Sequence, residues 1–169
     1  MRFIKDNYYH IYNRGIDKKR IFYTRGNYLY FIDLLRKYSI RYSISVIAYC
    51  LIPNHYHLML YQKTDIPVSR FVQSLNNVFV QSMNKQLNRK GTLFEGRAKS
   101  RIINDEFYLM HISRYIHLNP LKHNLVQNLL DWEFSNYHEC IGTRNGELFD
   151  PEFIQAWFDT KSNSSFACE

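Results

Sequence analysis

The stretch Cys50-Leu51-Ile52-Pro53-Asn54-His55-Tyr56-His57-Leu58-Met59-Leu60 constrains the fold of this chain more than any other. Residues 43–50 are rich in β-branched and aromatic types, and residues 55–61 read as a returning strand. Pro53 has no N–H for a ladder, so Leu51-Ile52-Pro53-Asn54 reads as the tight connection of a hairpin. Side chains alternate along a strand, which puts His55 and His57 on one face and Tyr56, Leu58 and Leu60 on the other. Two imidazoles side by side on a rigid strand make half of a divalent-metal site. His55 also starts its strand beside a turn, where scaffolds present functional groups.

The flanking sequence supplies the remaining elements. Tyr8 to Gly15 reads as a first strand ending in a glycine turn, with His10 and Tyr12 on one face and Tyr9 and Ile11 on the other. A basic loop with Lys18, Lys19, Arg20 and Arg25 follows. Asn27 then suits a helix N-cap, and apolar residues recur at helical spacing over 27–39. Pro67 opens a long amphipathic helix that Gly91 closes. Thr92 to Ile103 forms a fourth strand with an irregular lead-in, Leu93 to Arg97. Asn104-Asp105-Glu106 caps a third helix, and Pro120 ends it.

The order β-α-β-β-α-β, then α, predicts an α+β, ferredoxin-like fold: an antiparallel sheet with helices packed on one face and the opposite face free for a site. A core domain over 1–126 and a helical extension over 127–169 belong to one folding unit. Short helices are expected at 131–141 and 151–158, with a frayed end from 161. Trp132, Phe134, Tyr137, Phe153, Trp157 and Phe158 would complete the core.

Composition narrows the partners. The net charge is +7, divided as +13 over residues 1–124 and −6 over 125–169. A basic body with an acidic tail points to a polyanion. The aromatic share of 17% exceeds what core filling alone requires. Cys50, Cys140 and Cys168 show no CxxC spacing, which argues for a reducing compartment and against structural zinc. The N-terminus has no apolar signal core and no run reaches the ~18 apolar residues of a membrane span, so a cytoplasmic location is expected.

The second half of the site lies in His111-Ile112-Ser113-Arg114-Tyr115-Ile116-His117-Leu118-Asn119-Pro120. Tyr108, Ile112 and Ile116 recur every four residues and would pack on the sheet. Tyr115 and Asn119 are also four apart and project together, with His111 one turn earlier. Two histidines plus the Asn119 side-chain oxygen would hold Mg²⁺ or Mn²⁺, a mixed N/O set without thiolates. A tyrosine hydroxyl is a poor nucleophile, but a cation on a phosphate oxygen neutralises charge and orients phosphorus for attack. The product would be a phosphotyrosine and a free 3′-hydroxyl. His10, His111 and His117 would assist the metal or pack.

Four blocks carry a family resemblance. They are Tyr9 to Gly15, Ala48 to Leu58, Gly91 to Ser100, and Arg114 to Pro120, in the order and spacing of the single-tyrosine HUH transposases. More narrowly the chain resembles the REP-associated tyrosine transposases over roughly residues 8–126. Ile52 stands where many relatives have Met, a conservative swap. By this resemblance His55 and His57 are metal ligands, Tyr115 is the nucleophile and Asn119 takes the third ligand position. The resemblance implies a bacterial cytoplasmic enzyme that acts on single-stranded DNA beside a hairpin, as a monomer or homodimer.

Such DNA needs cations for phosphates and aromatic faces for unpaired bases. The candidates are Arg14, Lys18, Lys19 and Arg20, then Arg97, Lys99 and Arg101, with Tyr12 and Phe94 to stack. The acidic residues Asp131, Glu133, Glu139, Glu147, Asp150 and Glu152 would fold over the basic groove. Two other readings stand beside strand transfer: a non-catalytic DNA-binding protein, and a metal hydrolase with Tyr115 as bystander.

Overall fold

A computed structural model describes residues 3–146 and residue 148. Its four-stranded antiparallel sheet has the order β2-β3-β1-β4, with β1 Tyr8–Arg14, β2 Ile44–Ile52, β3 His55–Gln62 and β4 Lys99–Ile103. The helices are α1 Arg25–Tyr42, α2 Val68–Gln86, α3 Glu106–His117, and the single turns α4 Asn119–Lys122 and α5 Tyr137–Cys140. This is the ferredoxin-like plan that the element order predicts.

Alternation along the strands divides the core. Tyr9, Ile11, Tyr49, Leu51, Tyr56, Leu58 and Leu60 point to the face covered by α1 and α2, where Phe22, Phe31, Phe71 and Phe79 join them. Ile47, Ala48, Cys50, Ile52, Met59 and Ile103 point the other way and meet Leu109 and Ile116 of α3. The two crossover helices thus take one face, as expected, while α3 covers part of the opposite face. The free area beside α3 is where the histidines lie. Much of the aromatic content fills the first core: Phe22 stacks on Tyr28 and meets Phe31 and Phe79 edge-on.

Several boundaries differ from the sequence reading. β2 runs through Ile52, so the hairpin turn is only Pro53-Asn54. Helix α1 begins two residues early, after an N-cap at Thr24. Asn27 sits at the third helical position, and its Oδ1 accepts from the backbone N–H groups of Tyr23 and Thr24. Helix α2 ends at Gln86, and the left-handed residue after it is Asn88, before Gly91. β4 is confined to Lys99–Ile103.

Pro120 does not end the helical path. It lies in the first turn of α4, where its missing N–H costs little. The backbone continues across the junction, with Lys122 N donating to Leu118 O and His123 N donating to Asn119 O.

The extension has little helix. Residues 134–136 lie along the edge of β2, where Leu51 N donates to Phe134 O and Asn136 N to Tyr49 O. A β-bulge interrupts β2 between Val46 and Ala48. Asn136 closes it: Nδ2 donates to Ile47 O, while Oδ1 accepts from Tyr49 N and from His117 Nε2 of α3. Trp132 and Phe134 join the aromatic core, as expected. The expected helix at 151–158, with Phe153, Trp157 and Phe158, lies outside the described residues, as do Glu147, Asp150 and Glu152.

Candidate active site

Strand register assembles the polar face. His55 stands opposite Arg14, His57 opposite Tyr12, and Met59 opposite His10. On its other side β1 pairs Tyr12 with Lys99 and His10 with Arg101. Directly opposed residues share a face, so His55, His57, His10, Tyr12, Arg14, Lys99 and Arg101 form one surface beside α3.

The protonation pattern of His55 follows from its neighbours. Asn54 Nδ2 donates to Lys18 O at 3.2 Å, which turns its Oδ1 towards His55 Nδ1 at 2.8 Å. His55 Nδ1 must therefore carry the proton, and burial keeps the ring neutral by lowering its pKa to about 4, with His123 adding to the effect. Nε2 is left as a bare lone pair.

Asn119 supplies its counterpart, and Pro120 explains why. Without an N–H, Pro120 leaves the Ile116 carbonyl short of its helical donor. Asn119 Nδ2 donates there at 3.3 Å and to Tyr115 O at 2.7 Å. Both amide hydrogens are used, so Oδ1 faces His55 Nε2, 3.4 Å away. Two acceptors facing each other repel unless a cation lies between them. This donor set fits an oxygen- and imidazole-preferring divalent ion. Among the described residues no group of three or more His, Cys, Asp or Glu side chains is placed to hold a metal ion, so a third ligand beside the two histidines would have to be of another type, such as the Asn119 oxygen.

His57 lies 5.1 Å from His55 between ring centroids, nearly perpendicular to it. Burial, then His10 and His55, holds its pKa far below the usual imidazole value. The Tyr115 ring presents an edge to His57 at 5.3 Å between centroids and keeps 37% of its surface exposed. The side of α3 and α4 that carries Tyr115 and Asn119 thus faces the histidine strand.

The predicted DNA-contact residues separate into groups. Lys99 and Arg101 are exposed on the histidine face. Arg14 is exposed there but forms a two-bond ion pair with Glu95, at 2.9 and 3.1 Å. Lys18, Lys19 and Arg20 are exposed in the loop after β1, with Lys19 paired to Asp17 at 3.3 Å. Arg97 lines a groove of about 960 Å³ between α2 and β4, on the opposite side of the sheet from the histidines. Tyr12 stacks on His10 and His57. Phe94 is buried against Tyr56 and offers no face to a base. In the acidic tail, Glu133 pairs with Arg25 and Glu139 with Arg144.

Two neighbours of the site, His123 and Lys122, escaped sequence reading, and a third, His10, was named there without a partner. His123 meets His55 edge-on at 4.8 Å, and the Lys122 ammonium lies 4.2 Å from the Tyr115 ring centroid. Tyr115, Asn119 and His123 follow a four-residue spacing that is visible only if the helix is continued through Pro120. His10, left aside in the sequence, is bonded to His57 at 2.9 Å, which no local pattern shows. His117 points away from the site to Asn136, and His111 is exposed on α3.

Comparison with known proteins gives the family and the fold. A protein of Haemophilus influenzae named as a REP-associated tyrosine transposase is 26% identical over 110 residues, covering 59% of this chain. The match spans 62% of that relative's length. The solved structure of a REP-associated tyrosine transposase bound to a REP hairpin superposes with a TM-score of 0.73 at 18% identity, covering 89% of this chain and 92% of that one. The family model described as "Transposase IS200 like" matches residues 3–119, a span that contains both histidines, Tyr115 and Asn119, and the chain belongs to that transposase family.

Proposed function

We propose that the protein cleaves and rejoins single-stranded DNA beside a hairpin, with Tyr115 as nucleophile and His55, His57 and Asn119 holding Mg²⁺ or Mn²⁺. The observation that carries this reading is the facing pair of lone-pair acceptors, His55 Nε2 and Asn119 Oδ1, 3.4 Å apart on the tyrosine's own helical path. When bound, the ion neutralises charge on a phosphate oxygen and favours in-line attack on phosphorus.

Tyr115 Oη forms the bond to phosphorus and the bond from phosphorus to the 3′ oxygen breaks. The phenolic proton passes to solvent, and the 3′ oxygen leaves as a hydroxyl after taking a proton. Attack of a 3′-hydroxyl on the phosphotyrosine reverses the step, so rejoining needs no ATP. Tyr115 starts on an exposed ring, open to a strand laid over the face. Lys99 and Arg101 supply cations for its phosphates, and Tyr12 an aromatic edge between them and the histidines.

Hairpin DNA as substrate is supported by the structural relative solved with a REP hairpin. A single tyrosine means that a full transposition cycle uses two active sites or two sequential reactions; a homodimer or a monomer satisfies this. No helix among the described residues is long and apolar enough to cross a membrane. Work in the cytoplasm, on the nucleoid, suits such a substrate.

Covalent trapping tests the reading. The protein is mixed with labelled hairpin-bearing single strands and Mn²⁺ or Mg²⁺, and a denaturant-resistant adduct is sought. The adduct should vanish with Tyr115→Phe and with a chelator. Cleavage that survives Tyr115→Phe would make Tyr115 a bystander to a metal-bound water. Tight, salt-sensitive binding without cleavage across a varied hairpin pool would establish a non-catalytic DNA-binding protein instead.

A further inference from the structure

His10 lies outside the donor set, yet it is bonded to one of its members. Its Nε2 is 2.9 Å from His57 Nδ1, and the rings lie nearly parallel with centroids 5.1 Å apart. Both rings are only 5% exposed, so water does not readily replace either partner. A hydrogen bond between two neutral imidazoles needs one N–H and one lone pair, which leaves two arrangements. If His57 donates from Nδ1, its Nε2 is bare and can bind a cation. If His10 donates, His57 carries its proton on Nε2 and that nitrogen is blocked.

The neighbouring ligand shows which arrangement the site is built for. His55 is held with Nδ1–H on a side-chain acceptor, Asn54 Oδ1, and Nε2 free. His10 Nε2 occupies the equivalent place beside His57 Nδ1. The Tyr12 ring stacks on both members of the pair, at 5.0 Å from His10 and 5.6 Å from His57, and restricts rotation of either ring. An outer acceptor of this kind sets the ligand's tautomer and raises its basicity towards a metal.

We infer that His10 is a positioning residue that holds His57 in the tautomer with a free Nε2, and so preorganises the cation site. This inference rests on the proposed metal reading. It gives a purpose to a buried histidine pair on adjacent strands, which an apolar pair would fill at lower cost in desolvation.

The test uses the full-length protein without DNA, with Mn²⁺ affinity read from the free-ion electron paramagnetic resonance signal. Wild type is compared with His57→Ala, His10→Phe and His10→Gln. His10→Phe keeps the ring volume and removes the acceptor; affinity should fall by about 10–100-fold, the usual effect of losing an outer-shell partner. His10→Gln places an amide oxygen near the Nε2 position and should stay within about threefold of wild type by the same logic.

Long-range ¹H–¹⁵N spectra of the metal-free wild type should show His57 protonated at Nδ1. Wild-type affinity in His10→Phe, or a proton on His57 Nε2, would overturn the inference. Unchanged affinity in His57→Ala would remove the metal reading itself, while the spectra would still decide whether His10 sets the tautomer. If His10→Phe does not fold, the glutamine variant and the wild-type spectra carry the decision.

Discussion

Lowering the pH from 7.5 to 5.0 should weaken the metal-free protein, and His10 sets the scale. Burial, with Arg101 nearby, lowers its pKa from 6.5 to about 4 in the folded state. Between these values the unfolded chain binds the proton and the folded chain does not, so stability falls as pH falls through that window. At pH 5 the unfolded imidazole is almost fully protonated and the folded one about a tenth protonated. The difference is about 2 kcal/mol, since a tenfold change in proton affinity is worth about 1.4 kcal/mol.

His57 and the buried His117 have lowered pKa values too, so other histidines deepen the loss rather than cancel it. For a chain of this size, about 2 kcal/mol corresponds to a fall in melting temperature of roughly 4–8 °C. Thermal melts in chelator at pH 7.5, 6.0 and 5.0 measure it. His10→Gln should flatten the slope by about the His10 share. A melting temperature that is constant or rises on acidification would refute the assignment of these rings as buried and neutral.

Four further outcomes are expected. Asn136→Ala leaves two backbone groups of the β2 bulge and the His117 ring without their shared partner; at ~1–3 kcal/mol per buried polar group orphaned it should cost about 3 kcal/mol or more in urea unfolding. Gly15→Ala would drive a methyl into the Lys19 carbonyl and the Ile21 side chain, for a loss of about 1–3 kcal/mol seen as a lower urea midpoint. Lys99→Gln and Arg101→Gln should each reduce the slope of log affinity for single-stranded DNA against log salt by about 0.7, in a fluorescence-anisotropy titration. By contrast Arg97→Gln, across the sheet from the histidines, should leave Mn²⁺ affinity unchanged.

Local periodicity made much of this protein legible from its sequence. Alternation along residues 55–61 places His55 and His57 together whatever the rest of the chain does, because the side-chain period of a strand is two. Helical spacing joins Tyr115 to Asn119 for the same kind of reason. The element order then leads to one common α+β plan. Register could not be read in this way. That His10 meets His57, and that Lys99 and Arg101 share the histidine face while Arg97 leaves it, depends on how β1 pairs with both neighbours.

Pro120 illustrates the limit most clearly. As a local signal it stops a helix, and His123 and Lys122 then drop out of view. In the fold it sits in a first helical turn, and the carbonyl it leaves without a donor takes one from Asn119. That bond aims the Asn119 oxygen at His55. The sequence by itself determined which residues are candidates for the chemistry and which of them are close along the chain. Only tertiary structure decided their orientation, because the hydrogen-bond partners that hold each ring and amide come from other strands and turns.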